Sequence, residues 1–255
     1  MIFLKSRQEI EIMRTANRIV SEIIVDLRER IHSGISTGEI DRIASELIKK
    51  KSARSAFKGY QIRPGVPPFP ATICVSLNNE VVHGIPSLQR FINTGDIVSL
   101  DFGVIYKGFY GDAAVTFVLG EGGDQVQRLI QTTAAALEAG IAQAKVGNRL
   151  GDVSAAVQGR VEKDGFSVVR EFVGHGVGRR LHEDPPVPNY GVRERGVRLR
   201  EGMVLAIEPM VNIGAPEVKM LSDGWTAVTQ DGSLSAHFEH SVAVTENGPE
   251  VLSRL

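Results

Sequence analysis

Four carboxylates in this chain stand where strands are expected and where acids are usually scarce. The stretch "LDFGVIYKGFYGDAAVTF" (100–117) reads as two strands. In the first, Ser99, Asp101 and Gly103 alternate with Val98, Leu100 and Phe102; in the second, Asp112, Ala114 and Thr116 alternate with Ala113, Val115 and Phe117. Further on, Glu208 would share a face with Val204 and Ala206 in a regular strand, and Glu239 a face with His237, Ser241 and Ala243. Each acid lies among mostly small residues, with an apolar face opposite. Aspartate is depleted in strands, and a buried charge is costly unless paired. Any one of these acids could sit on a solvated face; four of the same pattern point to a shared site. Converging carboxylates raise one another's pKa values strongly, and two dications would remove that repulsion.

His175, in "EFVGHGVG", is a fifth candidate, because glycines on both sides let backbone pack closely around an imidazole. The plainer alternative is a glycine-rich turn with an incidental histidine. One nitrogen among carboxylate oxygens suits manganese, iron(II), cobalt or zinc better than magnesium or calcium. Two such ions about 3.5–4 Å apart would activate water and polarise a carbonyl, which is hydrolase chemistry.

The elements that must position these residues follow from local signals. Ser6 with Glu9, and Ser36 with Glu39, form capping-box patterns ahead of the stripes Ile10, Met13, Val20, Ile23, Leu27, Ile31 and Ile40, Ile43, Leu47, Ile48, with Gly34 as the stop between them. Strands follow in "ATICVSL" and "EVVHGI" and in the two aspartate runs. The second half repeats the order: a long helix over "DQVQRLIQTTAAALEAGIAQAK" with Gly147 after it, a shorter helix from Leu150 to Lys163, then strands in "SVVREFVGHG", "GMVLAIEPMV", "WTAVTQ" and "SAHFEHSVAVTE". "RPGVPPFP" reads as a rigid surface loop, and "GRRLHEDPPVPNYGVRERG" as irregular.

The composition sets bounds. With 255 residues, 42% hydrophobic and 23% charged, and a formal net charge of −1, the chain reads as an ordinary globular protein with no basic or acidic excess for a nucleic-acid or membrane partner. The single cysteine, Cys74, excludes an intrachain disulfide, and "MIFLKSRQEIEIMR" does not read as a secretory signal. A cytoplasmic location is the expectation.

The stretches "CVSLNNEVVHGIP", "GDIVSLDFGVIYKGFYGDAAVTF", "GHGVGRRLHEDPPVPNYG", "GMVLAIEPM" and "DGWTAVTQDGSLSAHFEH", in this order, carry a specific resemblance. From about Lys5 to Val251 the chain closely resembles the methionine aminopeptidases of the pita-bread metallopeptidase superfamily, in their short bacterial type 1 form. The resemblance implies an α+β pita-bread fold in a single catalytic domain, 1–255. Two pseudo-symmetric halves, roughly 1–120 and 121–255, would share a central antiparallel sheet covered by helices, with a dinuclear metal site between them. It implies Asp101, Asp112, His175, Glu208 and Glu239 as metal ligands, Asp112 and Glu239 bridging. It implies His83 at the scissile amide nitrogen, His182 at the carbonyl oxygen, and Glu208 also as general base. Tyr60, Phe69, Cys74, His83, His182 and Trp225 would contact substrate. The implied activity is removal of the initiator methionine from nascent polypeptides with a small second residue, by a monomer, with the ribosome as a further candidate partner. The alternatives are an Xaa-Pro aminopeptidase or dipeptidase of the same fold, or a non-catalytic peptide-binding module. Three features depart from the family pattern: an insertion, "RPGVPP", between Tyr60 and Phe69; His237 where glutamine is expected; and Leu181 where some relatives carry a larger aromatic.

Overall fold

The computed structural model describes residues 1–62 and 64–254. Helices α1 (Arg7–Arg30) and α2 (Thr37–Lys50) precede β1 (Arg54–Ser55), β2 (Cys74–Leu77), β3 (Glu80–Val82), β4 (Ile97–Tyr106) and β5 (Phe109–Val118). Helices α3 (Asp124–Ile141) and α4 (Leu150–Lys163) precede β6 (Ser167–Val168), β7 (Gly174–Gly176), β8 (Glu183–Val187), β9 (Val204–Ile207) and β10 (Met210–Asn212). The chain closes through β11 (Val218–Met220), β12 (Ala227–Thr229), β13 (Ser235–His237), β14 (Glu239–Thr245) and β15 (Gly248–Val251). No helix among the described residues is long and apolar enough to cross a membrane.

Both capping boxes form: the Ser6 and Ser36 hydroxyls accept from the backbones of Glu9 and Glu39, whose carboxylates bond back. Helix α1 ends at Arg30, with Ile31 as its C-cap, earlier than Gly34; that glycine (φ +91°) makes the turn between the helices instead. Likewise α3 ends at Ile141, well before Gly147.

A nine-stranded sheet runs β1-β4-β5-β14-β9-β7-β8, with β2 also on β4 and β15 on β14. Its pairings are all antiparallel. Strands β5 and β14, from opposite halves of the chain, meet at its centre, Glu239 opposite Ala114 and His240 opposite Ala113. Helices α1 and α2 pack on Val98, Leu100, Phe102, Ala113 and Phe117; α3 and α4 pack on Leu205, Ile207, Val242 and Val244. The alternation expected for the acid-bearing strands therefore holds: the residues between the acids face the helices.

Three strands expected as continuous are broken, and the breaks have one cause. Glu208–Pro209 separates β9 from β10, Phe238 separates β13 from β14, and 169–173 separates β6 from β7. In each case one piece joins the large sheet and the other joins a three-stranded sheet, β13-β10-β6. Pro209 has no N–H for a ladder, so the chain changes sheets there. A third sheet, β11-β12-β3, takes in the strand after Asn78–Asn79, whereas β2 before it pairs with β4. The stretch read as irregular contains β8, an edge strand that tolerates Pro185 and Pro186. The loop 61–68 is mainly exposed, as expected; Arg63 of "RPGVPP" lies outside the described residues.

Strand β5 meets α1 at Gly111, where an added Cβ would lie 2.6 Å from the backbone of Ala16 and of Asn17. Gly111→Ala is expected to destabilise the fold by about 1–3 kcal/mol through overpacking, measured by urea denaturation. Unchanged stability would show that this close approach is not fixed.

Candidate metal centre and substrate cavity

Sheet register brings the acids together. Cys74, Asp101, Ala114 and Glu239 are cross-strand neighbours along one row through β2, β4, β5 and β14. Asp112 lies two residues from Ala114, on the same face, opposite Gly103. Ser241, Ala206 and His175 form a second row through β14, β9 and β7. Small residues (Gly103, Ala114, Ala206, Ser241) thus separate the acids and the histidine and leave room between them. At Gly103 a Cβ would come within 2.8 Å of the Phe57 ring and 3.2 Å of Asp112 Oδ1.

Ligand atoms of Asp112, His175 and Glu239 all lie within 4.8 Å of one another. Glu208 joins through His175, with Oε1 3.5 Å from Nε2. Asp101 lines the same cavity. Glu208 falls just after β9 rather than within it, yet still faces the site. His175 Nδ1–H donates to the Gly176 carbonyl at 2.9 Å, leaving the Nε2 lone pair toward Asp112 and Glu208. His237 stands behind Glu208, its Nε2 3.3 Å from Oε2.

The electrostatics fit a cation site. Burial, and then neighbouring carboxylates, push Asp112 and Glu239 well above the usual carboxylate range. Burial lifts Asp101 to about 7. Glu208 is the exception: burial raises it, but the His237 ring 3.3 Å away and the neighbouring His175 bring it below its ordinary value. Buried Asp112 Oδ1 and Glu239 Oε1 have no hydrogen-bond partner among the described residues. Orphaned carboxylate oxygens are rare in protein interiors. Oxygens so placed around one imidazole nitrogen fit a divalent first-row ion.

These residues floor a cavity of about 500 Å³. Every residue expected at the site lines it: the five ligand candidates, with Tyr60, Phe69, Cys74, His83, His182 and Trp225. The Phe69 and Trp225 rings stand edge to face at 5.1 Å. Trp225 Nε1 donates to the Pro67 carbonyl at 2.8 Å, so the proline-rich loop is tied to the cavity wall. His83 has φ +61°, uncommon for a residue with a side chain, and burial lowers its pKa to about 4. His182, its ring centroid 4.3 Å from that of His175, is brought to about 3 by burial and by that neighbour.

Sequence reasoning missed several contributors. Phe57 and Phe172 line the cavity, Phe172 edge-on to His83 at 5.6 Å. Asn17, fully buried in α1, accepts from the Asp112 N–H at 3.1 Å, and Ser241 Oγ donates to the Asp112 carbonyl at 2.9 Å. Beyond His240 the β5–β14 ladder stops, and these two side chains satisfy the backbone of Asp112 instead. An asparagine on the apolar stripe of α1 is the one local signal that could have flagged this.

The site and fold are those of a metallopeptidase. The model of metallopeptidase family M24 matches residues 11–246, and the chain belongs to that family. A methionine aminopeptidase of Clostridium perfringens is 51% identical over 253 residues, covering 99% of both chains. The crystal structure of methionine aminopeptidase from Thermotoga maritima superposes with a TM-score of 0.96 at 47% identity, each chain covered completely. A prolidase from Pyrococcus furiosus matches at a TM-score of 0.79 and 22% identity, over 65% of its own length, which reflects the shared pita-bread fold alone.

Divalent metal should stabilise the stripped protein by mass action, by about 2.7 kcal/mol at 100 times its dissociation constant. Asp112→Ala should abolish that gain, read as the shift in thermal midpoint on adding cobalt or manganese. A full shift in the variant would exclude Asp112 as a ligand.

Proposed function

We propose that the chain is a dinuclear metal-dependent aminopeptidase that removes N-terminal methionine from peptides, preferring a small second residue. The observation that carries this reading is a cluster of carboxylates and one imidazole at the floor of an apolar cavity, in a chain about half identical to methionine aminopeptidases over its full length. The whole of 1–255 acts as one catalytic domain, each half contributing two acids. Its working substrates are nascent polypeptides in the cytoplasm, and it acts as a monomer.

Asp101, Asp112, His175, Glu208 and Glu239 would hold two divalent ions, with Asp112 and Glu239 shared. Cobalt, manganese, iron(II) and zinc all suit this donor set. Bound there, the ions would supply Lewis acidity toward the scissile carbonyl and an acidified water.

The protein's own groups do the rest. Glu208, kept ionised beside His237, accepts the proton of the attacking water and passes it on toward the departing amine. Burial raises the Tyr60 phenol, so it stays protonated, and its Oη lies 2.5 Å from His182 Nδ1, where we assign it as the donor. The neutral His182 ring then carries its proton on Nε2, from which it donates to the substrate carbonyl as negative charge develops there. His83 contacts the scissile amide nitrogen. Phe57, Phe69, Cys74 and Trp225 enclose the first side chain, and burying a methionine is worth about 1.5–3 kcal/mol.

His182→Ala should keep its metals and lose about 10²–10³ in kcat, by steady-state kinetics with metal analysis. Loss of metal instead would make His182 a ligand.

The specificity test is a peptide panel varied at its first two residues. Met-Gly and Met-Ala peptides should be cleaved fastest. Norleucine should be released appreciably, since an apolar pocket separates close aliphatic analogues by only about 1–3 kcal/mol. Faster cleavage of an Xaa-Pro peptide would move the chain to the proline-specific branch.

A further inference from the structure

One buried charge pair takes no part in this chemistry. The side chains of Lys5 and Glu183 are 5% and 4% exposed, with Nζ 2.6 Å from Oε2. A buried pair is weak evidence of stabilisation, because desolvation offsets much of the attraction. Its placement is more telling. Glu183 begins β8, directly after His182, and its second oxygen, Oε1, accepts the backbone N–H groups of Arg179 at 2.8 Å and Arg180 at 3.2 Å. Those amides belong to the turn 177–182 that joins β7 to β8, with His175 at one end and His182 at the other. One carboxylate therefore closes the turn that sets the spacing of the two imidazoles.

Lys5 anchors that carboxylate to the N-terminal segment. Its Nζ also donates to the Phe3 carbonyl at 3.0 Å, and its backbone N–H donates to the Gly202 carbonyl at 2.7 Å. The turn lies flat against the pair at Gly178, where a Cβ would come 2.4 Å from Lys5 Cε and 2.7 Å from Glu183 Oε1. On the other side, the Gly178 carbonyl accepts from Tyr110 N–H of β5 at 2.8 Å. The turn is thus gripped between the N-terminal segment and the strand that carries Asp112.

We propose that Lys5 and Glu183 are positioning residues for His182: the Glu183 carboxylate folds the 177–182 turn through its two amides, and Lys5 fixes that carboxylate in place. The inference rests on the role given above to His182 at the substrate carbonyl. A misplacement of about 1 Å can cost a reaction about 10²-fold, so a loosened turn should show in turnover rather than in substrate binding.

The test uses the metal-loaded full chain and a Met-Ala-initiated peptide. Glu183→Gln and Lys5→Met should each lower kcat about tenfold while KM stays within about twofold. The visible spectrum of the cobalt(II)-loaded variants should match that of the parent. In a His182→Ala background, Glu183→Gln should cost no further kcat, because the residue it positions is gone. The double variant Lys5→Met/Glu183→Gln leaves no buried charge unpaired, and keeps the test readable where a single variant fails to fold. Full kcat in the folded variants overturns the proposal, as does an equal loss with and without His182. A His182→Ala variant with full kcat overturns the role of His182 itself, and this inference with it.

Discussion

Carboxylates that repel one another must be held within reach of a common point, and the middle of this structure is arranged around that constraint. Asp101, Asp112 and Glu239 are buried close enough for burial and mutual repulsion to favour their protonated forms. Flexible loops would let them move apart. Here each is set into a sheet ladder whose opposite face is fixed by helices, so separation would mean breaking packed strands. The small residues between them serve the same end, since a larger side chain at Ala114 or Ala206 would fill the space a cation needs.

The second feature is the corner where the chain passes from one sheet to another. Breaks at Glu208–Pro209, Phe238 and 169–173 lie at one level because β6, β10 and β13 pair together in the small sheet. Leaving the ladder frees Glu208 from regular strand geometry and puts His237 beside it. That contact separates Glu208 from the other acids of the cluster, since it alone among them is held below its usual pKa. The aromatic wall has a different origin. His83 and Trp225 flank β3 and β12 in the third sheet, and Trp225 holds the proline-rich loop through Pro67.

Much of this was legible in the residues themselves. The capping boxes at Ser6 and Ser36, the bounds of α4 and the alternation in β4 and β5 follow from local hydrogen bonding and side-chain period. The resemblance added His83, His182 and the pocket aromatics, and all of them line the cavity. What was not legible depends on distant partners. Periodicity cannot say that β2 joins β4 while β3 joins β12, because both read as short apolar strands. Nor can it say that a regular run will break where two sheets compete for it. Asn17 and Ser241 were hidden for the same reason: each matters only because the β5–β14 ladder stops beside Asp112.

Seating β14 between β5 and β9 has a consequence for the order of assembly. Asp101 and Asp112 belong to a hairpin that can form locally, whereas Glu239 arrives on a strand that follows all but one of the others in the chain. Pairings so distant in sequence are slow to form. During synthesis the early hairpin therefore carries acids with no counterpart, and the centre closes only when β14 docks. The acid cluster and the centre of the sheet are therefore completed together, when β14 takes its place between β5 and β9.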